Sequence, residues 1–488
     1  MKSKTSLLKY QYTTMNDQIK PEASLKRTLG LFASTLMVVG IVIGSGVFKK
    51  IVPMSQTGLG ETAILMAWIL AGVISLFAAF TVSALASLTE ESGGLYEYFR
   101  LSYGDFLAFI SGWADFIIIS PAATAALAFL FGEIINSFIP LANPLDQWKD
   151  LSIGGFIFPF ANSGVKLVGI SVIIILTGIN TLGSRESGVF NSIITTAKIL
   201  GISVLISVGL AYSGQVAEIS STLTSTIKVP EGMLFFSAFF AAMLSAFWAY
   251  NGWETATNIS GEIVNPRRNL PLALTIGLSI VALIYTLLNY SYFNVLSLEQ
   301  IRAIHSNEIG AFIVAETLLG NFGKILLIVL LVICVFGALN STIVTSPRKF
   351  YRMAQQGYLF SHLQKVHARF RTPHISLSYM MVIGCIMLIS GSFDMLTNMV
   401  IFLNFVLYGF LAFAVLRLKR MGKIQVKVIG YPLVPMVLLL FSIALTFNTI
   451  WVQPQQSMVG IILVLSGVPV YYYFKKRKKV NTLETEKH

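Results

Sequence analysis

Two short stretches combine residues that a continuous helix tolerates poorly with groups able to hold a charged ligand. Ile43-Gly44-Ser45-Gly46-Val47-Phe48 sets two glycines around a serine inside an apolar run, and each glycine weakens a helix by about 1 kcal/mol relative to alanine. Phe247-Trp248-Ala249-Tyr250-Asn251-Gly252-Trp253 lies at the middle of another run, where Asn-Gly is a turn signal. A helix interrupted in this way frees backbone groups. The N-terminus of its second half offers unpaired N–H groups and the positive end of a dipole, so Gly44, Ser45 and Gly46, with the Ser45 hydroxyl, can hold an anion. The first half of the other helix leaves carbonyls from Trp248 through Ala249 and Tyr250 to Asn251, which suit an ammonium group. A carboxylate site facing an ammonium site describes an α-amino acid. Each feature also has a plainer reading. Gly40 and Gly44 form a small-xxx-small pair that serves close helix packing, and Trp248 and Trp253 could belong to an interfacial belt, although they sit near the midpoint of their run.

Deep charges are the second chemical feature. Lys198 falls at the centre of an apolar run, where inserting a lysine costs roughly 2.5–3.5 kcal/mol, so it marks function by default. Its ammonium can stand where a coupling Na⁺ would sit, bridging carbonyls of the first interrupted run and the hydroxyls of Ser341 and Thr342. The alternative is an ion pair with Asp115. Glu254, just past the Asn-Gly break, either faces a cationic side chain, binds a proton, or points into a hydrated vestibule. Asn340, Asn404 and Tyr408 supply polar contacts to a pathway or hold helices together.

The elements that must position these groups are membrane helices. Of 488 residues, 55% are hydrophobic and 12% charged, against about a quarter charged in a soluble domain. Apolar runs of about 20 residues, the length that crosses a hydrocarbon core, begin near 29, 61, 104, 165, 188, 233, 270, 322, 376, 395, 430 and 457. Backbone groups in lipid must bond internally, which predicts an all-α integral membrane protein with twelve transmembrane helices. Span 6, from Met233 to Glu262, would run about 45 Å as one helix at 1.5 Å per residue, and Asn-Gly at its midpoint marks a break. Spans 1 and 6 are thus the broken helices of two five-span units, 28–212 and 233–418. An odd number of spans inverts the second copy, and matched broken helices mark a transporter's binding site. Residues 428–474 add two appended helices, and 1–27 and 475–488 form tails. The net charge of +13 is topogenic: 27 of the 35 Lys and Arg fall on the side of the termini, which places both in the cytoplasm. The Lys475–Lys479 run needs only anionic membrane lipid as a neighbour, and no nucleic acid.

Other classes fit poorly. Residues 1–26 lack the apolar core and cleavage site of a signal peptide. Cys334 and Cys385 lie inside spans, which excludes a disulfide framework, and the five histidines show no metal spacing, so no metal or cofactor is expected. No His-Glu-x-x-His, Cys-His pair or paired aspartates point to a membrane enzyme, and no output domain points to a sensor.

Gly-Ser-Gly at 44–46, Trp-Ala-Tyr-Asn-Gly-Trp at 248–253, Glu262-Ile-Val-Asn-Pro-Arg-Arg-Asn-Leu-Pro271, Thr196-Ala-Lys198 and Leu465-Ser-Gly-Val-Pro-Val-Tyr471 together resemble the L-type amino-acid transporters of the amino acid, polyamine and organocation superfamily. The resemblance implies alternating access and sodium-independent amino-acid exchange in a cell membrane. It places the substrate carboxylate on Gly44, Ser45 and Gly46, the amino group on carbonyls of Val42, Trp248 and Asn251, and Trp248 as the gate. Lys198 matches the lysine that takes the sodium position. Animal members carry a disulfide-linked heavy subunit through a cysteine between spans 3 and 4; residues 140–164 contain none, so no such subunit is expected and the chain looks bacterial. Asn251 and Glu254 depart from the residues usual in relatives, which leaves neutral and cationic substrates both open.

Overall fold

The computed structural model describes residues 29–89, 94–183, 188–212, 230–258, 263–305 and 308–485. The expected N-terminal tail, Arg185, Lys228 and Glu262 lie outside these. The described chain is helical, with extended pairing confined to two isolated bridges, Leu29 with Ile263 and Ile153 with Ile157.

Span 1 is α1 (Leu31–Val42), α2 (Gly46–Lys49) and α3 (Ile51–Ser55), and span 2 is α4 (Glu61–Ala86). After the short α5 (Gly94–Tyr103), span 3 is α6 (Asp105–Ala114) continued through one wide π turn, Asp115–Ile119, into α7 (Ser120–Phe138). Spans 4 and 5 are α8 (Ser163–Thr181) and α9 (Gly188–Ala211). Span 6 is α10 (Met233–Tyr250) with α11 (Thr255–Asn258), and span 7 is α12 (Pro266–Val295). The loop helix α13 (Leu298–Ala303) opens with a Ser297–Gln300 capping box. Span 8 is the end of α14 (Gly310–Gln355), which bends where Gly320 takes φ 63°. Spans 9 to 11 are α15 (His374–Ser390), α16 (Phe393–Arg420) and α17 (Leu433–Val452). Span 12 is α18 (Pro454–Leu465) running on into α19 (Gly467–Thr485), so much of the expected basic tail is helical.

Among the described residues, nine helices are long and apolar enough to cross a membrane. Three shorter apolar helices, Leu31–Val42, Thr195–Ala211 and His374–Ser390, fall on expected spans 1, 5 and 9. Large apolar side chains cover the outside, with Phe32 78%, Phe322 71% and Trp451 84% exposed, while Trp68 and Tyr250 are buried. In water such a surface would drive aggregation; in lipid it is solvated.

The packing places spans 1 and 6 centrally. α1 lies on α12 and α9, and α10 lies on α4 and α16. α4 packs along α12, α7 along α14 and α8 along α15, while α17 sits outside against α16.

Lys49, Lys50 and Lys166, which the sequence places among outward loop charges, are buried. The Lys166 ammonium donates to the carbonyls of Phe158 (2.7 Å), Pro159 (3.1 Å) and Ile389 (2.9 Å). It thereby ties the 140–162 connection to spans 4 and 9, and satisfies two loop carbonyls together with one in the last turn of α15. Replacing Lys166→Met leaves those acceptors without their donor and is expected to lower stability by about 1–3 kcal/mol, read as a fall in the apparent Tm of the detergent-purified protein.

Candidate functional site

The two breaks meet at the centre of the bundle. α1 ends where Ile43 turns extended (φ −68°, ψ 90°), and Gly44 and Ser45 are non-helical before α2 resumes at Gly46. α10 ends at Tyr250, Asn251 is extended (φ −67°, ψ 151°), and helix resumes at Thr255. A Cβ built on Gly46 would fall 2.6 Å from Ala249 Cα and 2.8 Å from its Cβ. The backbones of the two breaks are therefore in contact, which only glycine at 46 permits. Gly40 and Gly44 differ in kind: a Cβ on Gly40 would strike the Thr195 hydroxyl at 2.2 Å, a close packing of span 1 on span 5, whereas Gly44 meets only Val42 O at 3.8 Å.

A residue that sequence reasoning missed joins the breaks. Tyr285, fully buried in α12, puts its hydroxyl 2.9 Å from Val42 O and 3.0 Å from Ala249 O. A phenol carries a single donor proton, so the two carbonyls share it. Trp68 packs edge-on to the Tyr285 ring at 5.6 Å, and its carbonyl accepts from Tyr250 Oη at 3.0 Å. The available signal was a tyrosine in mid-span, because a buried hydroxyl seeks a partner.

Lys198, 6% exposed, donates to Ile43 O at 3.2 Å and Gly40 O at 3.4 Å. Both carbonyls belong to the last turn of α1, freed by the break. Ser341 and Thr342 do not bond the Lys198 ammonium in this conformation; Thr342 Oγ1 donates back to Ala338 O at 3.0 Å. The alternative pairing of Lys198 with Asp115 is overturned. Asp115, at the start of the π turn, pairs with Lys349 at 2.6 Å and accepts from Ser120 Oγ at 2.7 Å.

Beyond the span-6 break, Glu254 Oε2 accepts from the Gly252 N–H at 3.2 Å. Asn404 Nδ2 donates to Asn251 Oδ1 at 3.1 Å, which brings span 10 onto the break. Asn340 instead accepts from Asn180 Nδ2 at 2.7 Å, joining spans 4 and 8. Trp248, 8% exposed, meets Phe393 edge-on at 6.1 Å between ring centroids. A cavity beside Asn251, bordered by Ser75, Phe247, Ile401, Phe405 and Tyr408, measures about 10 Å³, room for about one water molecule. An amino acid enters only if these walls part. Among the described residues, no group of three His, Cys, Asp or Glu side chains could hold a metal ion.

N–H groups and carbonyls released at two broken helices and the Lys198 ammonium come together at the centre of the bundle, and residues 29–472 match the amino acid permease family. The chain belongs to that family. This permease is 30% identical to the serine/threonine exchanger SteT of Bacillus subtilis over 459 residues, which cover 93% of the chain and 98% of the relative. It is 28% identical to the human cystine/glutamate transporter over 462 residues, 93% of this chain and 86% of the other. It is also 28% identical to the mouse large neutral amino acids transporter small subunit 2, covering 92% and 81% respectively. A bacterial exchanger and light subunits together agree with the L-type resemblance, and the permease is a membrane protein of amino-acid transport.

Tyr285→Phe removes the one hydroxyl shared by the two breaks. Leaving Val42 O and Ala249 O without that donor costs about 1–3 kcal/mol, expected as a lower apparent Tm together with a raised KM for substrate. A raised Tm with unchanged KM would refute the bridging role.

Proposed function

We propose that the permease is a sodium-independent amino-acid exchanger that works by alternating access. The observation that carries this is the Lys198 ammonium on the Gly40 and Ile43 carbonyls. A fixed positive charge on carbonyls freed by the span-1 break supplies what a bound Na⁺ would supply, so transport needs no sodium there. Ser341 and Thr342 stand in the same region of span 8 as further oxygen donors for a conformation in which that span shifts. The substrate carboxylate binds the N–H groups of Gly44, Ser45 and Gly46. Its amino group binds carbonyls among Val42, Trp248, Ala249, Tyr250 and Asn251, with Asn404 lining the side-chain pocket through its bond to Asn251. Trp248 is the gate.

Twelve crossings in a five-plus-five inverted repeat, followed by two appended helices, underlie the mechanism. Support for the repeat comes from packing that is unchanged when each span is exchanged with the one five places away: α1 lies on α12 as α10 lies on α4, and α4 with α12, α7 with α14 and α8 with α15 map onto themselves. Charge bias puts both termini in the cytoplasm of a cell whose plasma membrane holds the protein, with no disulfide-linked partner.

The rival reading, a proton-coupled or cationic-amine carrier, needs Asp115 or Glu254 free for a cation. Asp115 is engaged by Lys349 and Ser120, and Glu254 accepts from the Gly252 N–H, which favours neutral substrates. The small cavity favours small ones, and the serine/threonine specificity in the name of the Bacillus relative makes serine and threonine the first candidates.

Proteoliposomes loaded with one amino acid and offered a labelled panel outside test this directly. Counter-substrate stimulation of uptake that is unchanged when Na⁺ is replaced is expected; absence of stimulation by every amino acid would sink the exchanger reading, and a strict Na⁺ requirement would refute the role of Lys198. Lys198→Ala is expected to abolish exchange while the protein still purifies as a folded, monodisperse species, because removing the cation leaves two freed carbonyls that water or Na⁺ can reach.

A further inference from the structure

Four charged side chains that the substrate site does not use converge at one end of the bundle. Lys49 and Lys50, where α2 passes into α3, are 1% and 0% exposed. Lys49 Nζ donates to Glu133 Oε2 near the end of α7. Lys50 Nζ donates to Asp394 Oδ1 in the first turn of α16 and to Thr397 Oγ1, each at 2.6 Å. Both ammoniums lie over the Phe393 ring, 5.0 and 4.8 Å from its centroid, and this is the ring that meets Trp248. Glu133 is 4% exposed, while the Asp394 side chain keeps 30% of its surface open. The cluster is neutral in sum, buried at its centre and wet at one edge.

Charge at such a contact has a physical meaning. Burying an ion pair gains less than burying apolar groups of the same shape, so a contact needed only for stability would be hydrocarbon. Ions regain their hydration when a contact parts, whereas an apolar seal exposes hydrocarbon to water. Charged pairs therefore narrow the free-energy gap between a shut and an open arrangement, which suits a contact made to open. We propose that Lys49, Lys50, Glu133 and Asp394 form an ionic latch that shuts the path to the substrate site from outside. It holds the second half of span 1 against spans 3 and 10 and, through Phe393, seats Trp248. Its part in transport rests on the alternating-access reading above. Its existence as an opening contact does not.

The test places a reporter beneath the latch. Ile401, 2% exposed, borders the cavity, and Ile401→Cys is labelled on intact cells with a membrane-impermeant methanethiosulfonate, the rate being taken above that of the protein without the reporter. Adding Glu133→Gln strands Lys49 without its counter-ion, and labelling at least tenfold faster is expected as the latch opens to hydrate it. Adding instead Lys49→Met with Glu133→Leu closes the same contact with apolar groups, and labelling at or below the unmodified rate is expected. Asp394→Asn against Lys50→Met with Asp394→Leu reads the same contrast should Glu133→Gln fail to reach the surface. Unchanged labelling in the single variants, or apolar pairs that label as fast as the singles, would overturn the latch. Labelling needs no substrate, so a failure of exchange with every amino acid would remove the transport reading and leave this one standing.

Discussion

The structure depends on one constraint: a backbone group inside a membrane has no water to turn to, so every N–H and C=O released from a helix must find another partner. Two helices are broken at the centre of this bundle, and the surroundings of the breaks are organised by that demand. The Tyr285 hydroxyl serves Val42 and Ala249, Lys198 serves Gly40 and Ile43, and Asn251 turns its own N–H back to Trp248 O. These partners satisfy the breaks. They also define what a ligand must offer to replace them, an anion for the N–H groups and a donor-rich cation for the carbonyls. Breaks that would be defects elsewhere bring backbone groups of two opposite kinds to one place.

The same reasoning orders the buried charges. Lys166 is held by three carbonyls at a loop end and ties neighbouring segments together. Asp115 with Lys349 and the Lys49, Lys50, Glu133 and Asp394 group each join separate spans. Lys198 differs from them: the bonds from its ammonium run to backbone oxygens of a broken helix, not to a carboxylate. A cation facing carbonyl oxygens occupies the kind of place a metal ion takes, whereas each ion pair joins separate spans.

Much of this was legible in the chain. Hydropathy and length marked the membrane helices because lipid admits so few alternatives, and glycine placement and Asn-Gly marked the two breaks within a residue or two of where the helices stop. Lys198 stood out because a lysine in mid-span is costly enough to need a reason. Polar groups with ordinary local explanations were not legible. Tyr285 and Phe393 look like any aromatic residue of an apolar run, Lys49 and Lys50 read as loop charges, and the Lys349 partner of Asp115 went unseen, since each role is set by residues up to 344 positions away in the chain.

Sequence by itself determined that the protein lives in a membrane, that two of its helices are interrupted around Gly44–Gly46 and Trp248–Asn251, and that a lysine sits in mid-span at 198; these follow from local composition acting against a solvent that forbids unpaired backbone. Only the tertiary structure decided that the two breaks touch at Gly46 and Ala249, that Lys198 turns to span 1 and not to Asp115, and that four outer charges neutralise one another. Those outcomes depend on which helix faces meet, and the lipid that dictates each helix is indifferent to how the helices are arranged, so packing and hydrogen bonding between distant spans make that choice.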